Sequence, residues 1–311
     1  MRSVLLALTD ELKRLKTAGV KTVPVSEGSL ATLRQMVAAR NTGTRIPAPA
    51  EASATRPETD LTQNPELKTQ NPEPKTQPPA GPDQLPPPEV TLPSGDKATR
   101  WRALRDLVLN HPVCRAHVRP GRQVVFGVGS LNAKIMFVGE APGADEEQQG
   151  EPFVGPAGQL LTKMIKAMGL ERSDVYIGNI MNWRPELPTA PGGLQIGNRE
   201  PTPAETAFCL PLITAQIEVV DPKILVALGA TAARGLLGAH SFRSLGEVRG
   251  RWHEYRGRPL RVTYHPSYLL RKEAEGEGAA RRAKRAAWED FLAVMERAGL
   301  AVQEKQRNYF H

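Results

Sequence analysis

Aromatic side chains are scarce. Phe, Trp and Tyr together make up 5% of the 311 residues, and none precedes Trp101. The first hundred residues therefore lack the large side chains that usually dominate a core. Cysteine is almost missing: Cys114 and Cys209 are the only two. That excludes a disulfide framework and fits a reducing compartment. No apolar run approaches the ~20 residues of a membrane span. The run from Val4 to Leu8 is too short for a secretory segment, and Asp10 and Glu11 follow at once. These absences predict a soluble, cytoplasmic protein without a membrane partner. Acidic residues are outnumbered, 33 against 41 Lys and Arg, giving a formal net charge of +8 and a pI near 9.6. The excess points to an anionic partner, nucleic acid first, because clustered cations gain affinity by releasing counterions from phosphates. Ribosomal contact or plain compositional bias is the alternative.

The late start of the aromatics also divides the chain. Residues 1–40 carry two short helical patterns. One runs over Ser3 to Leu15 with Leu5, Leu6, Leu12 and Leu15 sharing a face, and the other from Ser29, a possible N-cap, to Ala39. Residues 41–99 hold almost half of the 28 prolines. They include the near-repeat Thr62-Gln-Asn-Pro-Glu-Leu-Lys68 and Thr69-Gln-Asn-Pro-Glu-Pro-Lys75. Proline removes backbone donors and this segment has little to bury, so it reads as a disordered, Pro-rich tether. A folded domain is expected over 100–300, with 301–311 as a tail.

Within that domain strands and helices alternate. Strands are expected at Lys134–Val138, Val175–Ile180, Ile224–Gly229 and Leu260–Tyr264. Helices are expected at Gly158–Met168, Thr202–Val220 with Pro203 in its first turn, a short stretch ending at Leu237, and Arg281–Arg297. This alternation predicts a three-layer α/β/α fold around a central four-stranded parallel sheet, with the ligand site beyond the carboxyl ends of the strands.

The segments at those ends are the informative ones. The first strand runs into Gly139-Glu-Ala-Pro-Gly143, then Asp145-Glu-Glu147, Gly150-Glu-Pro-Phe-Val-Gly155 and Ala157-Gly158. Such a glycine-rich strand-to-helix loop lets backbone approach a ligand closely. It is neither a phosphate-binding Gly-Lys-Ser/Thr loop nor a dinucleotide fingerprint. A glycine-rich turn with solvated acids is the plainer reading. The second strand ends in Gly178-Asn179, and an Asn amide can read a pyrimidine edge because it both donates and accepts. The fourth ends in Tyr264-His265-Pro266-Ser267, where His265 is a candidate proton donor or anion stabiliser. Either residue alone would more often be a cap or turn residue. Convergence at separate strand ends favours a site.

Taken in order, GEAPGADEEQQGEPFVGPAGQLL, DVYIGNI, GNREPTPAE, PKILVALGATAARGLLG, RGRW and YHPSYLLR resemble the family 4 uracil-DNA glycosylases of the uracil-DNA glycosylase superfamily, over about Gln123 to Val294. The resemblance implies an enzyme of base excision repair that flips uracil out of single- or double-stranded DNA and hydrolyses its N-glycosidic bond. It would release free uracil, leave an abasic site, and act as a monomer at the bacterial nucleoid. By the same resemblance Phe153 would stack on uracil and Asn179 would bond its Watson–Crick edge. His265 would stabilise charge on uracil O2, Glu140 would position or activate water, and a backbone N–H between Ala141 and Gly143 would hold an oxygen. Ser267, Tyr268, Leu269 and Arg271 would press on the DNA, Tyr268 or Leu269 filling the vacated space and Arg271 reaching a phosphate. The alternatives are a glycosylase of this fold for another deaminated or mismatched base, and a non-catalytic DNA-damage-binding protein.

The family generally carries a 4Fe–4S cluster on four cysteines. Here the four positions read His111, Cys114, Trp183 and Cys209, so two thiolates are missing. His can replace Cys in some clusters, and His111 or His117 is the nearest candidate. The expectation is that no cluster is held, that none is needed for the chemistry, and that Trp183 and its neighbours fill the volume. Glu186 to Ile196 is an insertion in the family pattern, rich in Pro and Gly, and reads as an exposed loop near the DNA face. Some relatives capture DNA covalently with a basic loop near this region; this one has no Lys, Arg or His. Two basic groups, Arg249, Arg251, Arg256, Arg258 and Arg261, and Arg281, Arg282, Lys284 and Arg285, are expected to supply some phosphate contacts.

Overall fold

A computed structural model describes residues 86–189, 193 and 195–310. The two N-terminal helical patterns and the tether up to residue 85 lie outside the described residues. In chain order the helices are α1 (Lys97–Asn110), α2 (Pro112–Ala116), α3 (Ala144–Gln149), α4 (Pro156–Ala167), α5 (Pro203–Val220), α6 (Ala230–Leu237), α7 (Leu245–Val248), α8 (Pro266–Glu275), α9 (Glu277–Arg297) and α10 (Glu304–Arg307). The strands are β1 (Val128–Gly129), β2 (Ile135–Gly139), β3 (Tyr176–Asn179), β4 (Ile224–Leu228), β5 (Trp252–Tyr255) and β6 (Arg258–Thr263).

The sheet has six strands in the order β1-β3-β2-β4-β6-β5. Its middle four, β3, β2, β4 and β6, are mutually parallel as expected, while β1 and β5 add an antiparallel strand at each edge. The expected four-stranded sheet is thus extended to a mixed six-stranded one. Every residue of β2, β3 and β4 is buried, which is why they read as continuous apolar runs. Alternate side chains serve opposite faces. Met136, Val138, Leu225 and Ala227 pack with Ile213, Ile217 and Val220 of α5 and Ala232, Ala233 and Leu236 of α6. Ile135, Phe137, Val226 and Leu228 pack with Leu161 and Ile165 of α4 and Trp288, Phe291 and Met295 of α9. These are the two outer layers of the α/β/α sandwich.

Two boundaries differ from expectation. The helix α1, capped by Asp96, begins inside the stretch read as tether, and Val90 and Leu92 already pack on an apolar cluster with Leu104 and Phe126. The tail is folded onto the domain: Gln306 donates to the Ala167 carbonyl at 2.7 Å, and the Trp288 indole N–H donates to the Gln306 carbonyl at 2.6 Å. Among the described residues no helix is long and apolar enough to cross a membrane.

Register sets where the chemistry falls. Gly139 pairs with Asn179, and Leu228 with Thr263, so four parallel strands end at nearly one level. Glu140, Asn179, Gly229 and the Tyr264–His265 segment therefore leave the sheet side by side.

Candidate active site

The loop after β2 closes back over the strand ends. Phe153 holds a left-handed backbone (φ 55°) and is 6% exposed. That geometry is unusual for a bulky residue and is imposed by its surroundings. A methyl group on Gly158 would sit 1.9 Å from the Phe153 carbonyl, so only glycine lets α4 start so close beneath it. A methyl on Gly139 would lie 2.4 Å from both Asn179 Oδ1 and Phe153 Cζ. The amide and the ring thus meet over a bare strand end. On the other side the Phe153 ring faces His265, with centroids 5.6 Å apart and planes at 35°.

Asn179 is 5% exposed, and its Oδ1 has no hydrogen-bond partner among the described residues. A buried acceptor left unpaired costs about 1–3 kcal/mol, so this oxygen calls for a donor from a ligand. His265 caps α8: its Nδ1 accepts from the Ser267 backbone N–H at 3.2 Å and lies 2.8 Å from the Ser267 hydroxyl. The Arg271 guanidinium donates to that hydroxyl oxygen at 3.3 Å, leaving the hydroxyl proton for Nδ1. With Nδ1 an acceptor, the neutral ring carries its proton on Nε2. Burial, and then the nearby Arg271 charge, hold the imidazole down at about 4, so it is neutral at neutral pH.

Glu140 lies beyond Gly139, and its Oε2 accepts from the Thr231 hydroxyl at 2.5 Å. Burial raises the carboxyl above its ordinary value, the Thr231 hydrogen bond opposes this, Glu200 adds to it and Arg271 opposes it. Sequence reasoning did not single out Thr231; its only signal was its place in the first turn after a strand end.

Two further acids of this loop, Glu146 and Glu147, are buried and engaged, while Glu151 is exposed. Glu146 accepts from the backbone N–H groups of Gly143 (3.1 Å), Val154 (2.9 Å) and Gly155 (2.9 Å), stitching the two halves of the loop together. The Gly143 N–H, one of the two candidate loop donors, is thereby engaged within the loop. Glu147 is ion-paired to buried Arg184 at 3.0 Å. Arg184 also donates to Asn198 Oδ1 (2.7 Å) and the Gly197 carbonyl (2.7 Å). The insertion returns through Gln195, which is 9% exposed, donates to the Pro185 carbonyl (2.9 Å) and accepts from the Leu187 N–H (3.2 Å). Its base is therefore clamped, while Glu186, Pro188, Thr189 and Ile196 are exposed, Ile196 at 48%.

Of the residues expected to meet DNA, Leu269 is 1% exposed and packs on Ala283 and Ala287 of α9. As part of that helix–helix core it cannot enter a base stack, and the expectation for it is corrected. Tyr268 is partly exposed, stacks on Tyr264 at 4.6 Å and sits beneath the Lys272 ammonium at 5.3 Å. Arg271 is exposed. The basic groups are mostly committed to internal pairs. Arg249 and Arg261 grip buried Asp290 at 2.9 and 2.8 Å, Arg256 pairs with Glu218, Arg258 with Asp221, Lys284 with Glu273 and Arg285 with Glu289. Only Arg251, Arg281 and Arg282 of those sets lack an acidic partner among the described residues.

The four cluster positions lie in one apolar cluster with Leu104, Phe126 and Leu212, or packed against it. Trp183 is fully buried, stacks on His117 at 4.9 Å and 13°, and neighbours Phe208 at 6.0 Å; His111 meets Phe208 edge-on at 5.3 Å. Burial pushes the Cys114 thiol up to about 12, and burial followed by the neighbouring Cys114 keeps Cys209 well above its ordinary value. A cluster of the family's kind takes four thiolates, whereas Cys114 and Cys209 are the only cysteines of the chain and Trp183, which cannot ligate iron, stands at a third position. Among the described residues no three His, Cys, Asp or Glu side chains are grouped to hold a metal ion. The residues present do not fit a cluster.

The parallel centre of the sheet thus gathers at its strand ends a carboxylate, a buried amide, a strained aromatic and an imidazole. The profile of the uracil DNA glycosylase superfamily matches residues 126–292, and the chain belongs to that superfamily. Within it the chain falls with the type-4 uracil-DNA glycosylases. It is 43% identical over 152 residues to that of Thermotoga maritima, covering 49% of this chain and 73% of the relative. To that of Pyrobaculum aerophilum it is 38% identical over 179 residues, covering 55% and 85%. To that of Archaeoglobus fulgidus it is 41% identical over 150 residues, covering 46% and 70%.

Proposed function

We propose that this protein excises uracil from DNA by hydrolysis, with the base held in the pocket between Phe153, Asn179 and His265. The observation that carries the reading is the unpartnered, buried Asn179 Oδ1 beside the Phe153 ring. Uracil N3 carries a proton that this oxygen can accept, and uracil O4 can accept from the Asn179 amide. Cytosine offers an acceptor at N3 and an amine at C4, which leaves both atoms of the amide mismatched in a buried place. Sites of this kind discriminate strongly because the wrong ligand leaves polar groups unpaired. Phe153 supplies the stacking face, already ordered, and the Ala141 N–H offers a further donor to the base.

The base reaches the pocket by leaving the helix stack, at a cost of a few kcal/mol that is least in single strands. The C1′–N1 bond then breaks and its electron pair passes to the uracil ring, chiefly to O2. The His265 Nε2–H hydrogen-bonds that oxygen without transferring its proton, which suits a ring that is already neutral. Positive charge grows on the sugar, and a water held by the Glu140 carboxylate adds to C1′ while its proton passes to the carboxylate. Ser267, Tyr268 and Arg271 lie along the DNA, Tyr268 at the vacated position and Arg271 on a phosphate.

Labelled single-stranded oligonucleotides carrying one uracil, hypoxanthine or thymine, cleaved by alkali at abasic sites, test the reading. Uracil should be released fastest, and Asn179→Ala should lower kcat/KM by about 10- to 100-fold, the loss expected for one buried base contact. Equal release of hypoxanthine, or an Asn179→Ala variant as active as wild type, would overturn it.

The same reading includes the absence of an iron–sulfur cluster, supported by the buried Trp183–His117 stack. Protein purified anaerobically should be colourless and contain no stoichiometric iron by elemental assay. A brown, iron-loaded protein would refute this part alone.

A further inference from the structure

The turn between β4 and α6 touches both halves of the site. Gly229 has a left-handed φ of 89°, and a methyl group there would stand 3.0 Å from His265 Cβ. Its backbone N–H donates to the Thr263 carbonyl at 2.9 Å, which fixes the turn against the end of β6. Two residues on, Thr231 is buried at 9% exposure in the first turn of α6 and donates its hydroxyl proton to Glu140 Oε2. One three-residue turn thus abuts the imidazole on one side and holds the carboxylate on the other.

We propose that Thr231 is a positioning residue for the hydrolytic step, fixing the Glu140 carboxylate in its ionised form and aiming its second oxygen at the water. This rests on the reading of Glu140 given above. Oε2 is occupied by Thr231, so Oε1 is the oxygen left for water. The need for such a donor is local: Glu140 is largely enclosed, and the charges that face it, Glu200 and Arg271, act in opposite directions. Both come from elsewhere in the fold, Glu200 from the segment before α5 and Arg271 from α8. Thr231 is the neighbour that bonds the carboxylate directly, and its backbone is fixed by the Gly229 turn. The neutral His265 ring across the pocket adds no charge above its own titration at about 4.

The sign of the effect follows. A hydrogen bond donated to a carboxylate favours the ionised form. Without it the proton is held more tightly, and a higher pH is needed to empty the carboxylate for its role as base. Thr231→Val keeps the side chain's shape and removes only the hydroxyl. We expect single-turnover uracil release to slow by about tenfold, the scale of a misplaced catalytic group. KM for the oligonucleotide should stay within about twofold, since Thr231 lies on the water side. The acid limb of the pH–rate profile should move to higher pH. Thr231→Ser should restore both rate and limb. In a Glu140→Gln background, Thr231→Val should add no further loss.

A Thr231→Val enzyme with wild-type rate and an unmoved acid limb would overturn the proposal while leaving the Glu140 reading intact. Thr231→Ser as slow as Thr231→Val, with a lowered Tm in both, would also overturn it by showing a packing role. Should Thr231→Val fold poorly, Thr231→Ala against Thr231→Ser poses the same question. A Glu140→Gln enzyme as fast as wild type would overturn both the Glu140 reading and the role of Thr231.

Discussion

Replacing His265 by alanine is expected to slow uracil release by about 10²- to 10³-fold, the effect of removing one preorganised donor from a developing oxyanion. The substitution deletes the imidazole that faces the Phe153 ring. The loss should fall on kcat, with KM for a uracil-containing oligonucleotide little changed, because the charge on O2 exists only as the bond breaks. The protonation state sharpens the expectation. The ordinary histidine value is 6.5, whereas His265 is held at about 4 by burial and by Arg271. Depressed in this way, the ring is neutral on both sides of 6.5 and becomes charged only as pH falls toward 4. Wild-type activity should therefore show no step near 6.5 that vanishes in His265→Ala. Such a step, or a variant that retains wild-type kcat, would contradict the role given to the neutral ring. Single-turnover rates across the pH range decide it.

Glu140→Gln is the second large effect. An amide keeps the size of the carboxylate but cannot take a proton from water, and loss of a general base costs about 10²- to 10⁴-fold. Binding of uracil-containing DNA should survive, since nothing in the pocket places this carboxyl on the base edge. Burial raises the carboxyl above its usual value, and Thr231 and Arg271 only partly offset it. The acid form therefore accumulates as pH falls, and the wild-type rate should fall with it. The Gln variant should lack that limb. A Glu140→Gln enzyme that binds and releases uracil like wild type would remove the carboxylate from the mechanism, and fluorescence-anisotropy binding beside single-turnover release separates the two properties.

Much of the fold is legible in the sequence. Ile135–Val138 and Ile224–Leu228 are apolar at every position because both faces of the sheet are covered, and that alone gives the parallel centre of the fold. Asn179 and His265 were legible because polar residues stood directly at the ends of such runs. The edge strands were not. β1 is only two residues long, and Trp252-His-Glu-Tyr255 is half exposed, without the apolar continuity of the central strands. Charges misled most. Glu146 and Glu147 looked solvated, yet both are buried scaffolding, satisfied by backbone N–H groups and by Arg184. Arg249 and Arg261 belonged to a basic group expected to supply some phosphate contacts, but they close on Asp290, some thirty to forty residues away along the chain, a pairing no local pattern announces. Leu269 looked available for DNA because the residues that bury it, Ala283 and Ala287, belong to α9, a separate helix.

The clamp at the foot of the Glu186–Ile196 insertion has a use at the bench. Gln195 and Arg184 hold the two ends of the excursion to the domain, so a change made beyond them is insulated from the strand ends. Thr189 is exposed there, and both native cysteines are buried, protonated thiols. A Thr189→Cys protein would offer maleimide dyes one accessible thiol on the exposed part of the insertion. A dye attached there would leave Glu140, Asn179 and His265 unmodified.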